Sequence, residues 1–174
     1  VRKIQVFKFI AFLVMVSNIP LSAQDTLNTY FQSPMLLPFN LSGTFGEIRK
    51  DHFHAGIDIR TNESEGYTVL AAADGYLWRI KISATGFGKA VYLRHDNGIT
   101  SVYAHLSLFS DTIQKIAEAE QMKRMSNEID FFPDSLAHFI SKGMLIGYSG
   151  NSGSSEGPHL HFELRDSKTE EPVN

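Results

Sequence analysis

The chain contains no cysteine. That removes thiol nucleophiles, thiolate metal sites and disulfides together. It also has no excess of positive charge: 16 Lys and Arg stand against 19 Asp and Glu, a formal net charge of −3. Proteins that grip a nucleic-acid backbone present dense Lys/Arg surfaces, so that class is excluded. Internal repeats and low-complexity linkers are missing too. What is left is 174 residues, 43% hydrophobic and 20% charged, which fits one globular domain long enough to bury a core.

Long hydrophobic runs are also lacking. The uninterrupted apolar stretch Phe9 to Val16 falls well short of the about 20 residues that cross a bilayer. Arg2, Lys3 and Lys8 precede it, and Ser17 to Ala23 follows as a small, polar, proline-containing exit. That order is the one of a secretory signal peptide. It predicts cleavage after Ala23 and a domain over 24–174, exported to the periplasm or cell envelope. Residues 1–23 hold three basic and no acidic side chains, so 13 of the 16 basic residues remain against 19 acidic ones. The mature charge is then −6, and bulk electrostatics would not draw in an anionic substrate.

Beyond the leader the apolar period is mostly two. Segments 68–73, 75–83, 89–95, 99–105, 144–149 and 159–165 read as strands. Turn chemistry separates them at Asp74-Gly75, Thr85-Gly86, Asp96-Asn97-Gly98 and 149–157. This pattern predicts a mainly β, antiparallel fold. One segment departs from it: residues 111–127 read as a helix, with Asp111 and Gln114 as a capping box. Ile113, Ile116, Ala117, Met122 and Met125 form its apolar side, and Glu118 to Arg124 its solvated one.

Two motifs about a hundred residues apart carry the chemistry. His54-Ala55-Gly56-Ile57-Asp58 and Gly157-Pro158-His159-Leu160-His161-Phe162-Glu163 together offer three imidazoles and a carboxylate. Catalytic zinc sites use three such N or O ligands and keep a fourth position open. On a strand His159 and His161 share a face about 6.6 Å apart, which suits one ligand and one neighbour. His54 and Asp58 would stand about 13 Å apart on a straight strand, so the reading requires a bend, placed at Gly56. Among the other histidines, His52 is a weak ligand candidate, His95 reads as structural and His138 has no identifiable partner. Glu163 reads either as an orienter of His161 or as a surface ion-pair partner. Gly86-Phe87-Gly88-Lys89 lacks the spacing of a phosphate loop. Gly153-Ser154-Ser155-Glu156-Gly157 matches the nucleophile-elbow pattern, but a proline and a strand follow it instead of a helix.

With these residues in view, the chain resembles the lysostaphin-type zinc metallopeptidases, which cut peptide bonds in peptidoglycan. The likeness rests on the two motifs, with Ile59, and on Val69-Leu70-Ala71-Ala72-Ala73-Asp74-Gly75, Tyr103-Ala104-His105-Leu106 and Ile146-Gly147-Tyr148-Ser149-Gly150, and it covers about residues 36–174. It implies a compact antiparallel β-fold of the duplicated hybrid kind. It also implies a Zn2+ cofactor held by His54, Asp58 and His161, and two catalytic histidines, His105 and His159. The implied partner is peptidoglycan peptide. The stretch Leu41 to His54 resembles the subgroup of Bacteroidetes-like bacteria, implying a Gram-negative envelope.

Two features depart from the family pattern. The 37 residues between His105 and Gly143 exceed the family's short turn, which marks the helix as an insertion able to shape the substrate groove. Family members also usually continue past the position of Asn174. No H-E-x-x-H is present, so the glutamate base of other zinc peptidases is absent and the two histidines are left to move protons. A non-catalytic relative that binds cell wall or regulates an amidase is the alternative. A cytoplasmic phosphocarrier of similar fold, the glucose-specific enzyme IIA of the sugar phosphotransferase system, conflicts with the leader. N-terminal sequencing of protein from the envelope fraction is expected to start at or near Gln24. An intact Val1 in the cytoplasm would refute export.

Overall fold

The computed structural model describes residues 30–50, 52–134 and 137–174; the expected leader, 1–23, lies outside the described residues. In chain order the elements are β1 (Leu41–Gly43), β2 (Ile57–Arg60), β3 (Thr68–Leu70), β4 (Gly75–Ile82), β5 (Lys89–Arg94), β6 (Ile99–Leu106) and β7 (Leu108–Phe109). Then come helix α1 (Asp111–Arg124), β8 (Ile129–Phe131), β9 (Phe139–Ile140), β10 (Leu145–Tyr148), β11 (His159–Asp166) and β12 (Pro172–Val173). The main sheet runs β1-β2-β11-β6-β5-β4-β8, with β12 added to β11 and β9 to β4. A small second sheet runs β3-β10-β7. The described pairings are antiparallel, as the period-two pattern predicts.

Alternation along these strands sorts side chains onto two faces. Leu160 and Phe162, Leu77 and Ile80, Val91 and Leu93, and Tyr103 turn to one face. There they pack with Val69 and Ile146 of the small sheet and with Ile113 and Ala117 of α1. On β11 the alternate residues His159, His161, Glu163 and Arg165 turn the other way. That second face carries a smaller cluster of Ala90, Tyr92, Val102 and Ala104, with Trp78 and Phe87 against it.

Helix α1 forms where its pattern placed it, with two differences. No capping box exists: Ser110 is the N-cap and makes no side-chain cap bond, while Gln114 reaches forward to Glu118 at 2.9 Å. Only the first half of the apolar stripe is used. Ile113 and Ala117 are buried, whereas Met122 and Met125 are exposed, and Met125 ends the helix in the left-handed region at φ 50°. Because its buried residues join the larger core, α1 covers the face opposite His161.

His95 is structural, as read. Its Nδ1 donates to the Asp74 carbonyl at 2.7 Å, and its Nε2 lies 2.8 Å from Ser101 Oγ. Ser101 is 3.0 Å from the Tyr103 hydroxyl, which accepts from the Ala72 N–H at 2.8 Å. Gly75 makes room for this network, since a Cβ there would sit 2.7 Å from His95 Nδ1. Its role is this space rather than a turn conformation.

Burial depresses the His95 pKa below its ordinary 6.5 against the pull of the Asp74 carbonyl. The unfolded chain therefore takes up a proton near pH 6.5 that the folded chain refuses until lower pH. Stability is full above that pH and falls as the medium is acidified through it. Urea titrations of metal-free protein between pH 7 and 5 should show this loss. His95→Asn, which keeps an N–H donor but no titrating nitrogen, should flatten the slope. Equal slopes for both proteins would refute the assignment.

Candidate metal centre

The register of two strands builds the centre. His161 on β11 pairs directly with Asp58 on β2 on one side and with Ala104 on β6 on the other. His54 lies three residues before β2, in an irregular segment, so the straight-strand separation never arises. Gly56 is needed there for a different reason from the one expected. Its φ is not positive, but a Cβ would stand 2.3 Å from the Phe162 carbonyl oxygen and 2.7 Å from Glu163 Cγ. The glycine lets the segment pass flat over β11.

Three ligand atoms then meet. His54 Nε2, Asp58 Oδ1 and His161 Nδ1 form a triangle with sides of 3.0, 2.9 and 3.0 Å. Ligand atoms around one tetrahedral zinc stand about 3.3 Å apart, so a single ion fits this spacing. Among the described residues these three are the group able to hold a metal. The opposite ring nitrogens explain why an ion suits them. His54 Nδ1 donates to the Thr44 carbonyl at 2.8 Å, and His161 Nε2 donates to Glu163 Oε1 at 2.8 Å. Each ring therefore turns an unshared pair inward, toward a carboxylate oxygen and toward the other. A cation reconciles three such atoms at this distance.

The ionisation pattern agrees. Burial raises the Asp58 carboxyl, but bonds from His159 and His161 outweigh it and hold it well below the usual carboxylate range. Burial lowers His161, and Asp58 and Glu163 more than offset this, leaving it raised. Burial raises Glu163 as well, yet His161 and Arg165 bring it below its ordinary value. Glu163 is fully buried, so it orients His161 and is no surface ion-pair partner; Arg165 Nε holds its other oxygen at 2.5 Å.

His105 and His159 adjoin the triangle. Their rings are 4.8 Å apart, His105 is 5.8 Å from the His161 ring, and His159 Nε2 lies 3.4 Å from Asp58 Oδ1. His105 Nδ1 donates to the Ser152 carbonyl and His159 Nδ1 to the Gly157 carbonyl, each at 2.8 Å. With Nδ1 so engaged, each ring has Nε2 left for chemistry, and that of His159 faces Asp58. His105 sits at φ 58°, in the left-handed region, an unusual backbone for a residue with a side chain. Burial pushes its pKa down to about 4, against the Ser152 carbonyl and with help from the neighbouring histidines.

The other candidates fall elsewhere. His52 is exposed near the tip of the 44–54 loop and does not join the triangle. His138 borders a cavity of about 440 Å³ beside α1, on the core side. The 86–89 turn has its polar groups engaged: Gly86 N donates to Ser154 Oγ, Lys89 N to Ser152 Oγ and Lys89 Nζ to the Ser107 carbonyl. The turn therefore anchors the 150–155 loop that holds His105, and Phe87 stacks on His161 at 5.2 Å. Ser155 gives its proton to the Gly157 carbonyl, which His159 Nδ1 also faces, so the pair is no nucleophile and base. Sequence reasoning missed Thr44, Ser152 and Arg49. The first two act through backbone carbonyls, which leave no trace in residue type.

Comparison with known proteins bears on the family. The model of peptidase family M23 matches residues 52–129. The DD-carboxypeptidase/endopeptidase Mpg of Neisseria meningitidis serogroup B is 36% identical over 121 residues, covering 70% of this chain and 21% of that protein. The chain thus spans about a fifth of the length of that relative. Helicobacter pylori Csd3 superposes with a TM-score of 0.56 at 27% identity, over 83% of this chain and 32% of that one. The catalytic domain of the antimicrobial peptidase lysostaphin from Staphylococcus simulans superposes with a TM-score of 0.57 over 88% of this chain and 93% of that one. At 23% identity it speaks for the fold. With family model, sequence likeness and fold likeness in agreement, the chain belongs to peptidase family M23, the lysostaphin-type metallopeptidases.

Proposed function

We propose that the chain is an exported zinc-dependent endopeptidase that hydrolyses peptide bonds of peptidoglycan. The observation that carries this reading is the triangle of His54, Asp58 and His161, with its outer nitrogens committed to Thr44 and Glu163 and two further imidazoles beside it. Family membership supports peptide hydrolysis. The peptidoglycan substrate rests on the resemblance and on a relative named as a DD-carboxypeptidase/endopeptidase. Export rests on the charge and apolar profile of residues 1–23.

His54 Nε2, Asp58 Oδ1 and His161 Nδ1 hold the ion. When bound, zinc supplies a Lewis acid that polarises the scissile carbonyl and acidifies an attacking water. His105 and His159 do the proton work through Nε2. The Ser152 and Gly157 carbonyls fix each ring with its proton on Nδ1, so each Nε2 starts as an acceptor and becomes a donor once loaded. Burial keeps His105 neutral at ordinary pH, ready to accept. A protonated Nε2 can then steady the developing oxyanion or protonate the leaving amine.

Metal content and rate together test this. Elemental analysis should give about one zinc per chain, lost in His54→Ala and Asp58→Ala. His159→Ala and His105→Ala should keep the zinc while cleavage of cross-link peptides, followed by product masses, falls at least about 10²-fold. Full zinc in both ligand variants would overturn the ligand set. A zinc-loaded wild type that cuts no cross-link peptide would leave the binding or regulatory reading in its place.

A further inference from the structure

Asp58 has a second oxygen, and the loop before β2 is built around it. Oδ1 faces His54, His161 and His159, whereas Oδ2 turns away and accepts from Arg49 Nη2 at 2.9 Å. The same Nη2 lies 3.3 Å from Glu47 Oε2, and that oxygen also accepts from the Thr44 N–H at 3.3 Å. Thr44 is the residue whose carbonyl fixes His54 Nδ1. One short relay thus reaches two of the three ligands from behind. Gly43 provides the space for it: a Cβ there would stand 2.3 Å from Arg49 Nη2 and 2.5 Å from Asp58 Oδ2. The φ of Gly43 is not positive, so space, not conformation, requires the glycine.

We infer that Arg49 is a positioning residue of the metal centre, which engages Asp58 Oδ2 so that the carboxylate offers the ion Oδ1 alone. A carboxylate can ligate through one oxygen or through both. If both bind, the second fills a position that substrate needs in a catalytic site. The planar guanidinium presents its donors in a fixed fork, which suits it to hold one carboxylate oxygen in place. This inference rests on the zinc reading above and adds the device that keeps the site open.

Two measurements test it without relying on turnover. The first is zinc affinity, by competition with a chromophoric chelator. The second is the visible absorption of the cobalt-substituted protein, which weakens as coordination number rises. Arg49→Met keeps the apolar stem and removes every donor. It should bind zinc about 10–100-fold more weakly, the usual cost of losing an outer partner of a ligand, and show a weaker cobalt band. Gly43→Ala should move both readouts the same way. Arg49→Lys, which retains charge and donors, should recover most of the loss even if Arg49→Met folds poorly. Lys50→Ala, one residue along the same loop, should leave both readouts unchanged. An Arg49→Met chain with wild-type affinity and an unchanged cobalt band overturns the inference alone. An equal effect in Lys50→Ala also overturns it, because bulk charge would then explain the loss. A wild type that takes up no zinc overturns the proposed function and this inference with it.

Discussion

Asp58 and His161 face each other across the β2–β11 pairing, and this register is the constraint on which the rest of the site depends. Side chains on a strand alternate, so a slip of one residue would turn His161 into the core and Leu160 out of it. The main core prevents that slip, because Leu160 and Phe162 are buried there on the opposite face. β2 has only four residues with which to hold its place. The close pass of Gly56 over the Phe162 carbonyl adds a steric check that admits no other side chain. The candidate ligands are therefore aligned by hydrophobic burial behind them rather than by their own attraction.

Burying His54, Asp58, His161 and Glu163 together costs several kcal/mol unless each charge meets a partner. The sequence of contacts shows how this is met. Arg49 faces Asp58, Asp58 faces the ligand triangle, His161 faces Glu163 and Glu163 faces Arg165. Charge alternates along this line, and the triangle is the place in it that suits a cation. The flanking arginines make the two carboxylates affordable while keeping them ionised, one as ligand and one as orienter. A site of this kind is poised toward a positive ion before any ion arrives.

Much of this was legible in the residues. Long strands with a clear period, β4, β5, β6 and β11, came out within about two residues of their positions, which is ordinary uncertainty for strand ends. β7, β9 and β12 have two residues each and show no period at all. The His-x-x-x-Asp and His-x-His spacings marked four residues that the fold does gather. Gly56 was rightly singled out, but for flexibility instead of close approach. Only tertiary structure distinguishes the two, because both call for the same missing Cβ. Arg49 was passed over since an arginine in a charged loop reads as solvated surface until Asp58 is seen beside it. The capping box failed because Gln114 found Glu118 one turn on, a partner equally available in the sequence.

The two faces of the main sheet divide the work, and this bears on what α1 can do. α1 adds Ile113 and Ala117 to the large core and leaves His161 and its neighbours on the far side. One route from it to the site runs through β7 and β10 to the loop that follows β10, the one holding His105 by the Ser152 carbonyl. That loop is pinned independently from the site's own face. Ser152 Oγ accepts from Lys89 N and donates to the Leu106 carbonyl, and Gly88, at φ 62°, lies so close to Ser152 that a Cβ would meet it at 2.4 Å. With the loop locked at the turn, changes in α1 reach stability through the core before they reach His105.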